Sequence, residues 1–325
     1  FFFVVTFLMA DDLYDIRNAI ILGNFPQVIS DGSSIKSNPY RKQEENDAML
    51  AERDAIVFRA HIGMGQYDIV IDDLANATTP QLKAIRFLAQ FMKADAQDNE
   101  SQKANVVSSA KDLLKTAEES LTPAMYLHVV IVVASILIQN MEYEPALKLL
   151  RGVQTTAAST QSPALLEVHG LVVDILLRIH RPDQAEKEHK QMATVDDDAT
   201  ISQLCAAWIC LAKGGDAVEE AIQIFDELKE KFGSTVLLLN GLAIAQMAKG
   251  NFDTAEKLLL DAMSKRGSDP ETLINLITCS QHLKKGMDLI NRYITQLKSS
   301  SPNHPWVRSY LAMESKFDKT AKSQA

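Results

Sequence analysis

A chain of 325 residues, 46% apolar and 23% charged, is long and apolar enough to bury a large core. Its 33 Lys and Arg against 42 Asp and Glu leave a net charge of −9, which argues against a nucleic-acid backbone or an anionic lipid surface as a direct partner. Few glycines (13) and prolines (10), sparse aromatics (6%) and the absence of short alternating strand patterns point to an all-α fold.

The chain opens with FFFVVTFLMA. Ten apolar residues are too few to cross a bilayer as a helix, and no basic stretch precedes them as a secretory signal requires. Residues 1–10 are read as an atypical apolar segment, separate from the rest of the chain.

From there a single pattern recurs: a small residue, an aromatic two positions on, a second small residue three further, then an apolar run. It appears as Gly23-x-Phe25-x-x-Val28, Gly65-x-Tyr67-x-x-Val70 and Gly250-x-Phe252-x-x-Ala255. Met141-x-Tyr143-x-x-Ala146 carries Met in the glycine slot, and His180-x-Pro182-x-x-Ala185 is a weaker copy. Gly214 to Ala221 fits with a small insertion, Ala110 fits as a copy without its turn, and a last copy lies near Asp288. Successive key positions are separated by 42, 40, 36, 39, 36, 34 and about 33 residues. A spacing that settles towards 34 is that of the tetratricopeptide repeat, a helix-turn-helix unit.

Each slot has a physical reason. Small side chains in both helices of a unit allow close approach, and glycine at the turn ends the first helix in a left-handed cap. No such unit buries its apolar face alone, so units must stack. The expected architecture is an α-solenoid of about eight helix pairs in a right-handed superhelix over residues 11–300, followed by a capping helix and tail over 301–325. Phe58 stands where a small residue belongs, so the N-terminal units should be irregular. The polar, Pro-containing stretches at 31–42, 156–163 and 265–270 fall between units, as does Asp196-Asp197-Asp198, which is expected to cap the next helix.

Nothing in the sequence reads as a catalytic centre. The seven histidines are scattered, and the Gly63 and Gly214 stretches follow no strand and continue into no phosphate-binding loop. Cys205, Cys210 and Cys279 show no metal or disulfide spacing and read as inert core thiols. No enzyme, cofactor or metal is expected. What a solenoid offers is its concave surface, lined by the first helix of each unit. In the unit of Ala146 the inward positions are His128, Ile131, Ser135 and Ile138; in the unit of Ala255 they are Leu237, Asn240, Ile244 and Met247. A mainly apolar groove of this kind suits burial of a segment from another protein. A scaffold or cochaperone that captures short acidic peptides is the alternative, but it needs a cluster of Lys and Arg that these positions lack.

Several longer stretches resemble the epsilon subunit family of coatomer, the COPI vesicle coat. They are DDLYDIRNAIILGNFPQVI at 11–29, ERDAIVFRAHIGMGQYDIVIDDL at 52–74 and LAKGGDAVEEAIQIFDELKEKFGSTVLLLNGLAIAQMAKGNFDTAEKLLLDAMSKRGSDPETLINLITCSQHL at 211–283. HPWVRSYLAMESKFD at 304–318 agrees as well, with Tyr310, Glu314, Phe317 and Asp318 in the family's places. The resemblance implies a non-enzymatic coat component that binds the C-terminal region of the alpha coatomer subunit and sits among other coatomer subunits. It also implies a cytoplasmic protein brought to Golgi membranes indirectly, through the assembled coat, for Golgi-to-ER retrograde and intra-Golgi transport.

Overall fold

The computed structural model describes residues 11–157 and 163–324; the apolar opening segment 1–10 lies outside the described residues. Among the described residues there are 17 helices and no strand. They pair as α1 (Tyr14–Ile21) with α2 (Phe25–Ser34), α3 (Gln43–Gly63) with α4 (Tyr67–Asp73), α5 (Pro80–Ala96) with α6 (Glu100–Ser120) and α7 (Pro123–Gln139) with α8 (Tyr143–Ala157). Then come α9 (Pro163–Arg178) with α10 (Pro182–Asp196), α11 (Thr200–Lys213) with α12 (Ala217–Phe232), α13 (Val236–Ala248) with α14 (Phe252–Lys265) and α15 (Pro270–His282) with α16 (Met287–Ser300). A single helix, α17 (Pro305–Gln324), ends the chain.

The eight turns within pairs share one backbone device: a residue in the left-handed region. Gly23 (φ 71°), Gly65 (77°), Gly214 (70°) and Gly250 (82°) supply it where the sequence has glycine. Met141 (60°) and His180 (58°) adopt it without the freedom of glycine, in the copies whose glycine slot is filled by another residue. Two turns adopt it without the small-x-aromatic sequence marker. The unit of Ala110, expected to lack a turn, has one at Asp98 (57°), followed by Asn99, whose side chain caps α6 by accepting from Gln102 N. The last pair turns at Lys284 (54°). A second correction concerns Asp196-Asp197-Asp198. The N-cap of α11 is Ala199, with no side-chain bond; Asp196 instead accepts from the Asp198 amide at 3.1 Å, closing its own turn.

Small residues mark the contact within each pair. Val28, Val70, Ala110, Ala146, Ala185, Ala221 and Ala255 are all fully buried. Gly241 belongs to the same logic: a Cβ there would stand 2.6 Å from the ring of Phe225, itself fully buried. The irregular N-terminal half is visible in α4, only seven residues long, and in Phe58, half-buried at the edge of the main core.

The odd-numbered helices form the inner row. α1 touches α3, α3 touches α5, and the series continues through α7, α9 and α11; α13 touches α15. α7 lies in the middle of that row. Its run LHVVIVVASILI, rich in β-branched residues, would suit a strand by propensity, yet packing on three sides holds it as a helix with ten buried residues.

The coil closes on itself. α1 touches α11, and Leu22 is buried among Leu204, Ala207, Leu238 and Leu242. On the rim, Asn303 Nδ2 donates to Ala96 O at 2.8 Å, Arg308 pairs with Asp98, and Arg266 reaches Gly63 O at 3.4 Å. The first three pairs thereby meet the sixth, the seventh and the capping region. Trp306 stacks on Tyr310 and packs with Val307 against the last core cluster, whereas the helix from Leu311 to Lys322 is exposed. No helix among the described residues is long and apolar enough to cross a membrane.

Candidate partner-binding site

Closure encloses a lumen, and two cavities occupy it. The first, about 380 Å³, is walled by α1, α3, α5, α7, α9 and α11. The second, about 690 Å³, is walled by α1, α3, α9, α11 and α13. Their walls are mainly aliphatic, with a charged cluster where they meet.

That cluster comes from the inner helices. Arg59 of α3 holds Glu167 of α9 in a two-point pair, with Nη1 to Oε2 at 3.2 Å and Nη2 to Oε1 as the second bond. Beside it, Arg17 of α1 donates through Nε to Glu52 at 2.8 Å and also pairs with Asp11. Burial works against the charge on Arg59, but the nearby carboxylates of Glu167 and then Glu52 outweigh it, and its pKa is raised. His128 is pushed the other way: burial lowers its pKa despite Glu52 and Glu167, so the imidazole facing the first cavity is neutral at pH 7.

The eight inward positions named from the sequence fall in different places. His128 and Ile131 wall the first cavity, and Ile244 walls the second. Ser135 is half-buried and donates to Ile131 O at 2.8 Å, and Ile138 is buried in the main core. Leu237 faces the end of α1, where a Cβ on Gly23 would stand 3.7 Å from its own. Asn240 is committed to α15: its amide donates to Thr272 Oγ1 at 2.8 Å and its oxygen accepts from Asn275 at 3.0 Å. Met247 packs with the last core cluster. Trp208 borders the second cavity and lies edge-on to Phe225, with ring centroids 5.3 Å apart.

The charged cluster is not among the positions named from the sequence, although the same count finds it. Placing Val70 at position 20 of its unit puts Glu52, Ala55 and Arg59 at inward positions 2, 5 and 9; Ala185 at position 20 puts Glu167, Gly170 and Asp174 there. All six border the lumen. Extending the count from two units to all of them was the available signal.

No group of acids, histidines and cysteines suited to hold a metal exists among the described residues. The three cysteines are buried, and burial pushes the thiol of Cys205 up to about 12 and that of Cys210 to about 11. Neither is available as a thiolate near neutral pH.

The family model for the coatomer epsilon subunit matches residues 9–325. The chain belongs to the coatomer epsilon subunit family. Coatomer subunit epsilon-1 of Oryza sativa subsp. japonica is 35% identical over 315 residues, covering 97% of this chain and 99% of that one. Coatomer subunit epsilon of Dictyostelium discoideum is 29% identical over 316 residues, covering 95% and 98%. Among solved structures, a tetratricopeptide repeat protein from Parabacteroides merdae superposes with a TM-score of 0.54 at 12% identity, covering 89% of this chain and 97% of that one. A Rap protein complexed with Competence and Sporulation Factor superposes with a TM-score of 0.59 at 10% identity, covering 95% and 94%. These last two likenesses establish the fold alone. Membership of the family makes the chain a subunit of the COPI coat, with other coatomer subunits as its partners.

Proposed function

We propose that the chain is a non-enzymatic structural subunit that binds the C-terminal region of the alpha coatomer subunit, and that the lumen is where it does so. The observation behind this reading is the lumen itself. It has two adjoining cavities with mostly aliphatic walls, bounded by inner helices from both ends of the solenoid. A partner segment seated there touches six or more helices at once, so apolar burial accumulates without a flat interface. His128 and Ile244 contact the segment directly on this reading, and Ile131, 1% exposed, backs the wall of the first cavity. Ser135, Ile138, Leu237, Asn240 and Met247 shape the inner row from positions beside or behind it.

Placement of the subunit on Golgi membranes then follows from the assembled coat, not from insertion of its own helices, and the transport served is Golgi-to-ER retrograde and intra-Golgi. Residues 11–300 act as one solenoid, with 301–325 as its cap.

The test is titration calorimetry of the full chain with the purified C-terminal region of the alpha subunit. Expected are one-to-one binding and a negative heat-capacity change, the mark of apolar burial. Absence of binding under low and moderate salt sinks the reading.

A further inference from the structure

The Arg59–Glu167 pair is the one place where the two lumen cavities are separated by charge. Arg59 and Glu167 border both, together with Ile20, Ile21 and Ile201. The pair joins α3 to α9 across 108 residues of sequence. A polypeptide segment that lies through the lumen therefore has to part it. Both side chains are only about a quarter exposed, at 26% and 25%, and a segment filling the lumen covers what remains, so it must satisfy whichever partner is left alone.

The two partners are not equivalent. Arg59 has a second acid within reach of its own helix: Glu52 lies seven residues earlier, two turns along the same face, and already attracts it. Glu167 has no such reserve. Among the described residues its one ion-pair partner is Arg59. Two turns on along α9 stands another acid, Asp174, bound to Arg178 at 2.9 Å. The wall of the first cavity adds Asp196 and Asp198, giving five carboxylates against three Lys and Arg side chains.

Resting on the partner reading above, we propose that Glu167 is the specificity-determining anchor of the lumen: it receives a Lys or Arg side chain of the entering alpha-subunit segment, while Arg59 turns to Glu52. Arg59 then serves as a placeholder that keeps Glu167 paired in the free subunit. A segment that brings only apolar or acidic side chains is rejected, because it covers the partly exposed Glu167 without matching its charge.

The experiment compares the full chain with Glu167→Gln, Arg59→Gln and the double variant in affinity for the C-terminal region of the alpha subunit, at low and moderate salt. Melting curves accompany each titration. The double variant leaves no charge orphaned, so it reports on binding even if a single variant folds poorly. Glu167→Gln and the double variant are expected to bind at least tenfold more weakly than the unmodified chain, with a flatter salt dependence. Arg59→Gln, which frees Glu167, is expected to bind as tightly or tighter. Unmodified chain that binds while the double variant matches it overturns the anchor role alone. Equal weakening by Arg59→Gln and Glu167→Gln also overturns it, since the pair is then a strut. Failure of the unmodified chain to bind removes the partner reading and the anchor with it.

Discussion

The side-chain amide of Asn303 donates to the carbonyl of Ala96, 2.8 Å away in space and 207 residues earlier in the chain. Ala96 ends α5, and Asn303 sits just before α17, so this bond ties the third helix pair to the cap. With Arg308–Asp98 beside it and Leu22 buried against α11 and α13, it turns an open coil into an enclosure.

The rim contacts are exposed, and an exposed ion pair contributes about 0–1 kcal/mol. Asn303→Ala with Arg308→Glu should therefore leave the melting temperature nearly unchanged yet loosen the closure. Spin labels placed on the α5–α6 turn and on α17 should show a broader distance distribution in the double variant. An unaltered distribution means that burial of Leu22 holds the ring shut without the rim.

Gly241 and Gly152 should respond to alanine in opposite directions. At Gly241 the added Cβ meets a buried ring at 2.6 Å, and overpacking of this kind costs about 1–3 kcal/mol. At Gly152, inside α8, the added Cβ meets nothing within 4 Å, and replacing a helical glycine gains roughly 0.5–1 kcal/mol. Denaturant unfolding of the two variants checks the sign of each. Stabilisation by Gly241→Ala would mean that Phe225 has room to yield.

A buried polar cluster predicts acid sensitivity. Glu188, 1% exposed, accepts from His169 and Gln154 at 2.6 Å and pairs with Arg151 at 2.5 Å. Burial works against its charge, but these partners outweigh it and hold the carboxyl below its ordinary value of 4.5. Because the folded-state value is the lower one, the unfolded chain takes up the proton first as pH falls. The stabilisation is complete above the ordinary carboxylate value and is lost below it, towards the folded value. Glu188→Gln should flatten the fall in stability as pH drops through the ordinary carboxylate value and below it. Glu188→Leu, which strands His169 and Gln154, should cost about 3 kcal/mol at neutral pH. An unchanged pH profile in Glu188→Gln contradicts the assignment.

The thiols should be silent in the native chain. Cys205, Cys210 and Cys279 are buried, and burial raises the pKa of each. A thiol-reactive dye at mildly alkaline pH should label none until denaturant is added. Rapid labelling of any one in the folded protein counts against its place in the core.

How much of this could be read from the sequence depended on the kind of contact. Gly23, Gly65 and Gly250 announce their turns because positive φ favours one residue type so strongly. Asp98 holds the same conformation without that marker, so its turn was invisible to pattern, and Lys284 does so in the last copy, which the pattern placed only near Asp288. The inner row was legible because its period is local. Closure was not: nothing near Leu22 in the sequence signals that it will be buried among side chains of α11 and α13, since that contact depends on the summed twist of six units. Asn240 shows the limit within the site. The count assigns it an inward slot, but its amide group is consumed by Thr272 and Asn275 of the next unit, a pairing that only the stacked structure supplies.

The most direct test of the central claim is site-specific photo-crosslinking in a complex reconstituted from the full chain and the C-terminal region of the alpha subunit. A photoreactive residue is placed in the lumen at His128 or Ile244, or on the outer surface at Lys148. Crosslinks to the alpha chain from both lumen positions, and none from Lys148, are the predicted result. Crosslinks from Lys148 alone would contradict the account, because the partner would then lie outside the ring.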